Sequence, residues 1–255
     1  MQREITREMV KVRLPRREAD TNKGSFGSVL AAAGSMAYRG AAALCAEGAL
    51  RAGAGLVYLA SVEPVVQMVL SRTPECCACG CRTAANGGIH PQDAAALRSW
   101  FAEKNTVLLA GPGLGEGAGP VCNALLGKKA PWPAAVLDAD ALNVLAAGKL
   151  KGPLPEQTVI TPHPGEAARL LHTTVGEVQA DREAAARQLA ENYHCIAVLK
   201  GSGTLIAVPD GEVYRNLTGN AGLAKGGSGD VLAGLLAGLL AAGLRQGRAA
   251  EDAAI

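Results

Sequence analysis

Short apolar runs alternate along the chain with longer, Ala-rich stretches of helical periodicity. The short runs predict eight strands: Ser28–Ala33, Gly55–Ala60, Thr106–Ala110, Ala134–Leu137, Val159–Ile160, Ile196–Leu199, Thr204–Val208 and Val213–Arg215. The longer stretches predict eight helices: Gly40–Ala52, Pro64–Leu70, Pro91–Lys104, Val121–Leu126, Ala141–Leu145, Gly165–Leu171, Val175–Tyr193 and Asp230–Leu244. Strands that are apolar on both faces and alternate with helices indicate a mainly parallel sheet covered on both sides.

Two details refine this α/β prediction. The last two strands are joined by Pro209-Asp210-Gly211-Glu212, a turn-forming segment that predicts an antiparallel hairpin. We find no internal repeat and no long linker, so we expect one domain over residues 1–255. Because Ala249–Ile255 reads as the beginning of another helix, we expect a further C-terminal segment in the full protein.

The composition excludes several classes of partner. There are 25 Lys and Arg residues against 23 Asp and Glu, which leaves a formal charge of +2 and no electrostatic argument for nucleic acid or an anionic membrane. Aromatic residues make up only 3% of the chain, which argues against base-stacking platforms. The 32 glycines favour tight turns, close helix packing or backbone wrapped around a ligand.

The cysteines and the apolar segments indicate the compartment. Seven cysteines, an odd count, predict reduced thiols in a cytoplasm, and Met1–Arg17 is charged and lacks the apolar core of a secretory signal. The longest apolar run, Val231–Leu244, is shorter than the ~20 residues that span a bilayer. Its Gly234 and Gly238 favour a buried helix packed closely on a sheet.

The strongest candidate for chemistry is the glycine-rich segment Gly219–Asp230, which leads into an apolar helix. Its backbone N–H groups and the helix N-terminus behind them suit a phosphate. Asp230 alone would read as a helix cap, but a cap needs no Gly-Gly-Ser-Gly before it. The segment is not a Walker P-loop, because Ala224 stands where the second glycine belongs.

Two further segments follow predicted strands, where ligands gather in open α/β sheets. Lys200–Thr204 suits a nucleotide's ribose or phosphate, and the alternative is an ordinary β-turn with a solvated lysine. Gly111–Ala118 contains the pattern G-x-G-x-x-A, but only Asp138 or Asp140 loosely matches the acidic residue expected ~20 positions later. We therefore favour a glycine-lined pocket wall over a dinucleotide fingerprint.

The segment Thr161–Glu166 places His163 between two prolines at a helix entrance. A lone histidine is usually structural, but its position at a strand end favours ligand contact. Cys76–Cys81 contains four thiols without the spacing of a zinc site, so we expect a reduced surface loop there. Asp140 reads as a helix cap, and Asp138 as a candidate for a water or metal contact.

Taken together, these segments resemble the ADP-dependent NAD(P)H-hydrate dehydratase family of the ribokinase-like superfamily. The resemblance covers nearly the whole chain and implies a three-layer α/β/α fold. Its motifs are Lys23–Gly27, Gly34-Ser35, Gly40–Ala42, Arg51–Gly55, Gly111–Gly115, Asp138–Asn143, Thr161–Glu166, Lys200-Gly201, Gly219-Asn220 and Gly226–Asp230.

The resemblance implies a repair reaction that restores hydrated NADH or NADPH while ADP becomes AMP and phosphate. Asp230 would be the general base, acting on the hydroxyl that the (S)-hydrate carries at C6. The residues that would bind ADP or AMP are Lys200, Gly201, Ser202, Gly203, Thr204, Asn220, Gly226, Gly227, Ser228 and Gly229. Those that would contact the hydrated dinucleotide are Ala41, Gly113, Gly115, His163, Gly165, Glu166 and Asp230.

The same resemblance implies Mg²⁺, held through water near Glu166 rather than by a direct ligand set. It also implies a separate epimerase that acts upstream and a homotetramer in the cytoplasm. The chain departs from the family pattern at Ala221, where Pro is frequent, and at Lys225, where Ser or Thr is common.

Two rival functions remain open at this point. An ATP-dependent alcohol kinase of the same fold, of the thiazole or pyrimidine type, would use the same Asp230, but His163 stands where such kinases have Asn. A nucleotide-binding sensor without turnover would not need the Asp230 carboxylate.

Overall fold

The computed structural model describes residues 2–127 and 130–255, which form a central sheet between two layers of helices. The strands are β1 (Gln2–Glu4), β2 (Ser28–Ala32), β3 (Leu56–Val62), β4 (Cys77–Cys81), β5 (Thr106–Ala110), β6 (Ala134–Leu137), β7 (Gln157–Ile160), β8 (Ile196–Leu199), β9 (Thr204–Ala207) and β10 (Val213–Asn216). The helices are α1 (Arg7–Arg13), α2 (Arg39–Arg51), α3 (Glu63–Leu70), α4 (Pro91–Trp100), α5 (Ala118–Leu126), α6 (Asp140–Ala146), α7 (Pro164–Leu170), α8 (Val175–Ala180), α9 (Arg182–Tyr193), α10 (Ser228–Arg245) and α11 (Ala250–Ala254).

The strand order is β1-β10-β9-β8-β7-β6-β5-β2-β3-β4. All pairings are parallel except β8 with β9 and β9 with β10; the pair β9 and β10 is the predicted hairpin, and the antiparallel pairing of β8 with β9 was not predicted. The mainly parallel sheet predicted from the apolar strands is therefore confirmed. The antiparallel pairs are those whose strands are joined by short turns, because two parallel neighbours need a long crossover connection.

Each face of the sheet buries its own apolar layer. Helices α2, α3, α10 and α11 cover one face, and α4 to α9 cover the other. The strands β5, β6 and β8 are buried on both faces, as their unbroken apolar sequence predicts for central parallel strands. The chain thus has the three-layer α/β/α architecture that we expected.

Helix α10 packs directly on α2 through glycine. A Cβ on Gly234 would overlap the Cys45 carbonyl oxygen, and one on Gly238 would lie 2.5 Å from the Ala49 carbonyl oxygen. By length and composition, α10 is the one described helix that is apolar enough to cross a membrane, and half of it is buried inside the fold. The helix is buried on one side as predicted, but its two glycines pack on α2 and not on the sheet.

Three sequence predictions are wrong. Asp140 does not cap α6: it is the first residue of that helix, and its carboxylate accepts a hydrogen bond from the Gly115 N–H group instead. Cys76–Cys81 is not a surface loop: it contributes the edge strand β4, in which Cys79 and Cys81 point into the core. The single helix predicted over Val175–Tyr193 is two helices, because Asp181 ends α8 and its carboxylate caps α9 at the Ala184 N–H group, 2.9 Å away. The N-terminal elements β1 and α1 were not predicted.

Candidate active site

Four functional residues directly follow four neighbouring strands. Gly111 follows β5, Asp138 follows β6, Thr161 follows β7 and Lys200 follows β8. Because these strands are parallel and adjacent, their carboxyl ends bring the four residues side by side. This is the sheet edge at which open α/β proteins bind ligands, and we call it the carboxyl edge.

Asp138 and Lys200 form an ion pair at the centre of the carboxyl edge. Lys200 Nζ lies 2.8 Å from Asp138 Oδ1, which also accepts a hydrogen bond of 2.8 Å from the Thr161 hydroxyl. The Asp138 side chain is 3% exposed and that of Lys200 is 20% exposed. Removing two charges from water costs free energy, which the ion pair offsets only if its geometry is good and its remaining polar atoms are hydrogen-bonded. Here the Thr161 hydroxyl donates a further hydrogen bond to the Asp138 carboxylate.

His163 begins helix α7 and has a structural role there. Its ring Nδ1 accepts hydrogen bonds from the backbone N–H groups of Gly165 and Glu166. The backbone N–H of His163 donates to Glu166 Oε2 at 2.8 Å. Because Nδ1 is an acceptor, a neutral ring carries its proton on Nε2, 3.4 Å from Glu166 Oε1. The imidazole remains half-exposed, so its predicted contact with the dinucleotide remains compatible with this role.

Glu166 is buried and faces inward from the same turn. Its Oε2 lies 3.8 Å from Lys200 Nζ, so the ammonium group is shared between Glu166 and Asp138. The turn that the sequence singled out therefore supplies the second carboxylate of the central cluster.

The glycine-rich segment leads into α10 beside this cluster. A Cβ on Gly229 would lie 3.5 Å from Lys200 Nζ and 3.7 Å from Asp138 Oδ2. Gly227 has a φ of +90°, a conformation that favours glycine, and the Ser228 hydroxyl is buried without a hydrogen-bond partner. The N-terminus of an 18-residue helix, an ammonium group and an unpartnered hydroxyl thus converge, as an anion site requires.

Asp230 lies in the first turn of α10 and is partly buried. Burial raises the pKa of its carboxyl above the ordinary value, the Asp138 carboxylate raises it further, and the Lys200 ammonium opposes both effects. A carboxylate with a raised pKa is a stronger base, so Asp230 is suited to accept a proton beside the anion site.

The loop Lys200–Thr204 is fixed by an arginine that the sequence analysis missed. Arg182 donates to the Ser202 carbonyl oxygen at 2.7 Å and to those of Leu199 and Lys200 at 3.2 and 3.3 Å. The sequence pattern places Arg182 in the interior of one long helix over Val175–Tyr193. In the structure that helix breaks at Asp181, and Arg182 is the first residue of α9. The conformation of the loop follows from these bonds rather than from glycine content alone.

A second group of predicted residues forms a wall next to the cluster. A Cβ on Gly113 would lie 2.9 Å from the Cβ atoms of both Ala41 and Tyr38. The Gly115 N–H donates to Asp140 Oδ2 at 2.8 Å. This bond holds the segment Gly111–Ala118 against the start of α6. Tyr38 was not predicted, and the only signal for it was its place just before Gly40-Ala41.

The remaining predicted residues lie at the rim. The Asn220 side chain accepts from the Gly222 N–H at 2.9 Å and shapes the turn at Ala221–Leu223, whereas Gly226 is open to solvent. Lys225 is exposed. The cysteines of β4 lie at the far edge of the sheet, outside the site.

The donor set suits Mg²⁺ only through water and phosphate. Asp138, Glu166 and Asp230 offer hard carboxylate oxygens, which Mg²⁺ prefers. Within the ranges 2–127 and 130–255, however, no three acidic, histidine or cysteine side chains converge on one point that could hold a metal ion. The residues therefore fit an ion whose remaining ligands come from a bound nucleotide and water.

Two concavities lie at the opposite, amino edge of the sheet. One of about 630 Å³ is lined by Arg16, Asn22, Phe26, Arg245 and neighbours, and one of about 270 Å³ by Gln157, Ile196, Ala250 and neighbours. Neither contains a residue of the cluster around Asp138, Lys200 and Glu166.

The sequence matches a protein-family model described as NAD(P)H-hydrate dehydratase over residues 29–255. It is 42% identical to a bifunctional NAD(P)H-hydrate repair enzyme of Moorella thermoacetica, across 96% of this chain and 46% of that protein. This chain therefore spans less than half of that curated relative.

Solved structures show the same fold. A Bacillus subtilis ADP/ATP-dependent NAD(P)H-hydrate dehydratase, co-crystallised with ATP and Mg²⁺, is 34% identical with a TM-score of 0.77, over 94% of this chain and 81% of that one. A ribokinase-like superfamily protein of Enterococcus faecalis is 28% identical with a TM-score of 0.80, over 94% and 80%. The predicted ribokinase-like fold is confirmed.

Proposed function

Because the chain belongs to the NAD(P)H-hydrate dehydratase family, we propose that it repairs hydrated NADH and NADPH at the expense of ADP. The products are the intact dinucleotide, AMP and phosphate. The observation that carries the proposal is the convergence of Asp230, Lys200 and Gly229 at the start of α10 on the carboxyl edge.

The first step is a phosphoryl transfer. Hydroxide is a poor leaving group, so the hydroxyl at C6 of the hydrated ring attacks the β-phosphorus of ADP, and the bond to the bridging oxygen breaks to release AMP. Asp230 accepts the hydroxyl proton. The N–H groups at the start of α10 and the Lys200 ammonium stabilise the charge on the transferred group.

The second step is an elimination. The lone pair of the ring nitrogen expels phosphate from C6, and loss of a proton from C5 to the departing phosphate completes the C5–C6 double bond. Lys200 stabilises the phosphate as it leaves, and Asp138 keeps the ammonium group in position through their contact of 2.8 Å.

Bound Mg²⁺ would neutralise charge on the phosphates during transfer. Asp138 and Glu166 would orient its water ligands. Both carboxylates lie within 4 Å of Lys200 Nζ, and Asp138 Oδ2 lies 3.7 Å from the position of a Cβ on Gly229.

The binding assignments follow the two parts of the site. ADP would lie along the loop Lys200–Thr204, Asn220 and the glycines that precede α10, among which Gly226 has no protein atom within 4 Å of a Cβ position. The hydrated ring would lie between Asp230 and the wall formed by Ala41, Gly113 and Gly115, with His163, Gly165 and Glu166 beside it.

The deciding experiment is absorbance at 340 nm after the protein is added to purified NADH hydrate with Mg²⁺ and ADP. We expect a rise that depends on ADP and is matched by released AMP and phosphate. A larger rise with ATP would revise only the phosphoryl donor. The proposal would be wrong if a protein that binds these nucleotides gave no rise with either of them, and an alcohol kinase would then be the better assignment.

Asp230→Asn tests the general base. The amide keeps the size of the side chain but cannot accept the proton, so we expect turnover to fall by about 10²–10⁴-fold while ADP binding persists. Asp20→Asn, which removes an exposed carboxylate far from the site, serves as the matched control. Turnover within a few-fold of the wild type would contradict the role of Asp230.

The setting of the reaction is part of the same proposal. All seven cysteines are free thiols and six of them are buried, which is consistent with a reducing cytoplasm. A separate epimerase would supply the epimer used here, and we propose a homotetramer, to be tested by light scattering.

A further inference from the structure

Tyr38 is an exposed aromatic residue at the mouth of the site. It is 59% exposed, although it belongs to a chain with only 3% aromatic residues. Its ring carbons lie 3.9 Å from the position of a Cβ on Gly115, and its own Cβ lies 2.9 Å from that of a Cβ on Gly113. One edge of the ring therefore lies against the glycine wall, and the rest of the ring is exposed to solvent.

The Ser35 hydroxyl faces the same wall. Ser35 is 3% exposed, its hydroxyl has no hydrogen-bond partner, and Oγ lies 3.7 Å from the position of a Cβ on Gly115. An unsatisfied buried hydroxyl costs free energy, so its presence at a ligand-binding edge calls for a partner that arrives with the ligand.

The backbone around these two side chains is fixed. The Gly34 N–H donates to the Pro112 carbonyl oxygen at 2.8 Å, which joins the ends of β2 and β5. The Met36 N–H donates to the Gly87 carbonyl oxygen at 2.9 Å. Ser35 and Tyr38 thus belong to a preformed surface, which reduces the entropy lost when a ligand binds.

Helix α2 relates this surface to the reacting centre. Ala41 packs on the wall, and one turn later the Leu44 side chain lies 2.5 Å from the position of a Cβ on Gly227. Since a helix rises about 1.5 Å per residue, Ala41 and Leu44 are about 4.5 Å apart along the helix axis, so the wall and the anion site lie beside successive turns of α2.

We propose that Tyr38 and Ser35 form the recognition surface for the carboxamide end of the hydrated nicotinamide ring. The inference rests on the proposed function and deepens it. Hydration of the C5–C6 bond leaves N1, C2, C3 and the carboxamide conjugated and planar, so this part of the ring packs on Tyr38. The carboxamide at C3 exchanges a hydrogen bond with Ser35, while the hydroxyl at C6, at the opposite end of the ring, points to Asp230.

Tyr38→Ala tests the stacking contact. Removal of an aromatic platform weakens binding of a stacked ring, so we expect the KM for NADH hydrate to rise about ten-fold. The KM for ADP and kcat remain near wild type, because the interaction is the same before and during reaction. Tyr38→Phe, which keeps the ring, raises this KM less than Tyr38→Ala does.

A binding measurement without turnover identifies the ring that Tyr38 contacts. Reduced nicotinamide mononucleotide carries the nicotinamide but no adenine, and its fluorescence reports binding in the presence of AMP. We expect Tyr38→Ala to weaken its binding about as much as that of NADH. Unchanged affinity for the mononucleotide, with weaker affinity for ADP, would place Tyr38 against adenine and overturn the proposal.

Ser35→Ala tests the hydrogen bond with a readout that a structural role would not give. Because the hydroxyl is unpartnered in the free protein, its removal leaves the Tm unchanged or higher, whereas the KM for NADH hydrate rises about ten-fold. A lower Tm with an unchanged KM would contradict the assignment. Val12→Ala, at a 65% exposed position of α1, controls for loss of a surface side chain.

These outcomes are separate from the test of the proposed function. Wild-type protein that neither restores absorbance nor binds NADH would refute the function itself. Wild-type protein that does both, with Tyr38→Ala and Ser35→Ala indistinguishable from it, would refute the recognition surface alone.

Discussion

Glycine serves opposite purposes in two neighbouring regions of this protein. Between α2 and α10, the absence of a Cβ lets the backbones of the two helices touch. In the segment that precedes α10, Gly226 has nothing within 4 Å of where a Cβ would lie. In the first region glycine lets two helices pack in direct contact, and in the second it leaves room for a ligand beside the backbone.

The difference shows that glycine content alone does not identify a binding site. Both regions belong to one stretch, since Gly226 and Gly234 are eight positions apart and α10 begins between them. Substitutions should therefore separate the two roles, with lost stability in the helix contact and lost function in the loop.

The largest effect on stability is expected in the helix contact. Gly234→Ala forces a Cβ into the Cys45 carbonyl oxygen, and we expect the free energy of unfolding to fall by about 2–3 kcal/mol, as in overpacked cores. Gly238→Ala and Gly48→Ala meet backbone atoms at 2.5 and 2.6 Å and should cost less than Gly234→Ala. Denaturant unfolding measures the series.

Gly243→Ala is the matched control in the same helix. A Cβ there would lie 3.5 Å from the nearest atom, an ordinary contact, so the better helix propensity of alanine should stabilise the protein by about 0.5–1 kcal/mol. Equal losses at Gly243 and Gly234 would show that close backbone approach is not the reason for these glycines.

A smaller effect, on function alone, is expected in the loop. Gly226→Ala meets no protein atom, so the free energy of unfolding should change by less than about 0.5 kcal/mol. The new methyl group lies where the nucleotide would approach the backbone, and we expect the KM for ADP to rise about ten-fold, or about 1.4 kcal/mol. An unchanged KM for ADP together with a lower free energy of unfolding would show that Gly226 serves stability and not ligand binding.

The smallest effect concerns the pH dependence of stability. Burial raises the pKa of Asp230, so the ionised carboxyl costs stability in the folded protein. That cost is absent below the ordinary pKa of 3.8, grows as the pH rises towards the folded pKa and is complete above it. Asp230→Asn should therefore raise the Tm at pH 7 by a few degrees, whereas near pH 3 the two Tm values should coincide.

Thermal unfolding of both proteins between pH 3 and 8 measures this difference. A Tm of Asp230→Asn below that of the wild type at pH 7 would mean that attraction to Lys200 outweighs burial. The expected gain in stability with loss of turnover is the exchange that catalytic residues often show.

The strands were predictable because their sequences are apolar without interruption. The bounds of Thr106–Ala110, Ala134–Leu137 and Ile196–Leu199 were predicted to the residue, since both faces of these central strands are buried. The edge strand β4 reads Cys-Ala-Cys-Gly-Cys, and such small side chains give no hydrophobic signal. We therefore predicted a reduced surface loop where the structure has a strand whose Cys79 and Cys81 pack in the core.

The site was predictable only in parts. Local motifs identified the glycine segment and the His163 turn, because each forms a turn from its own residues. The pair Asp138–Lys200 spans 62 positions and exists only because β6, β7 and β8 are neighbours in the sheet. Strand order is a property of the whole chain, which explains why Lys200 was predicted as a nucleotide residue and not as the partner of Asp138.

The fastening of the two ends of the chain has a practical consequence. The Arg16 backbone exchanges two hydrogen bonds with the Gln246 side chain, and the Arg13 guanidinium lies 3.5 Å from the Asp252 carboxylate. Both described ends thus meet at the amino edge, opposite the site. A dye or a resin attached through a side chain next to Arg16 or Gln246 would therefore lie on the side of the sheet away from the Asp138–Lys200 pair, and would leave the carboxyl edge uncovered.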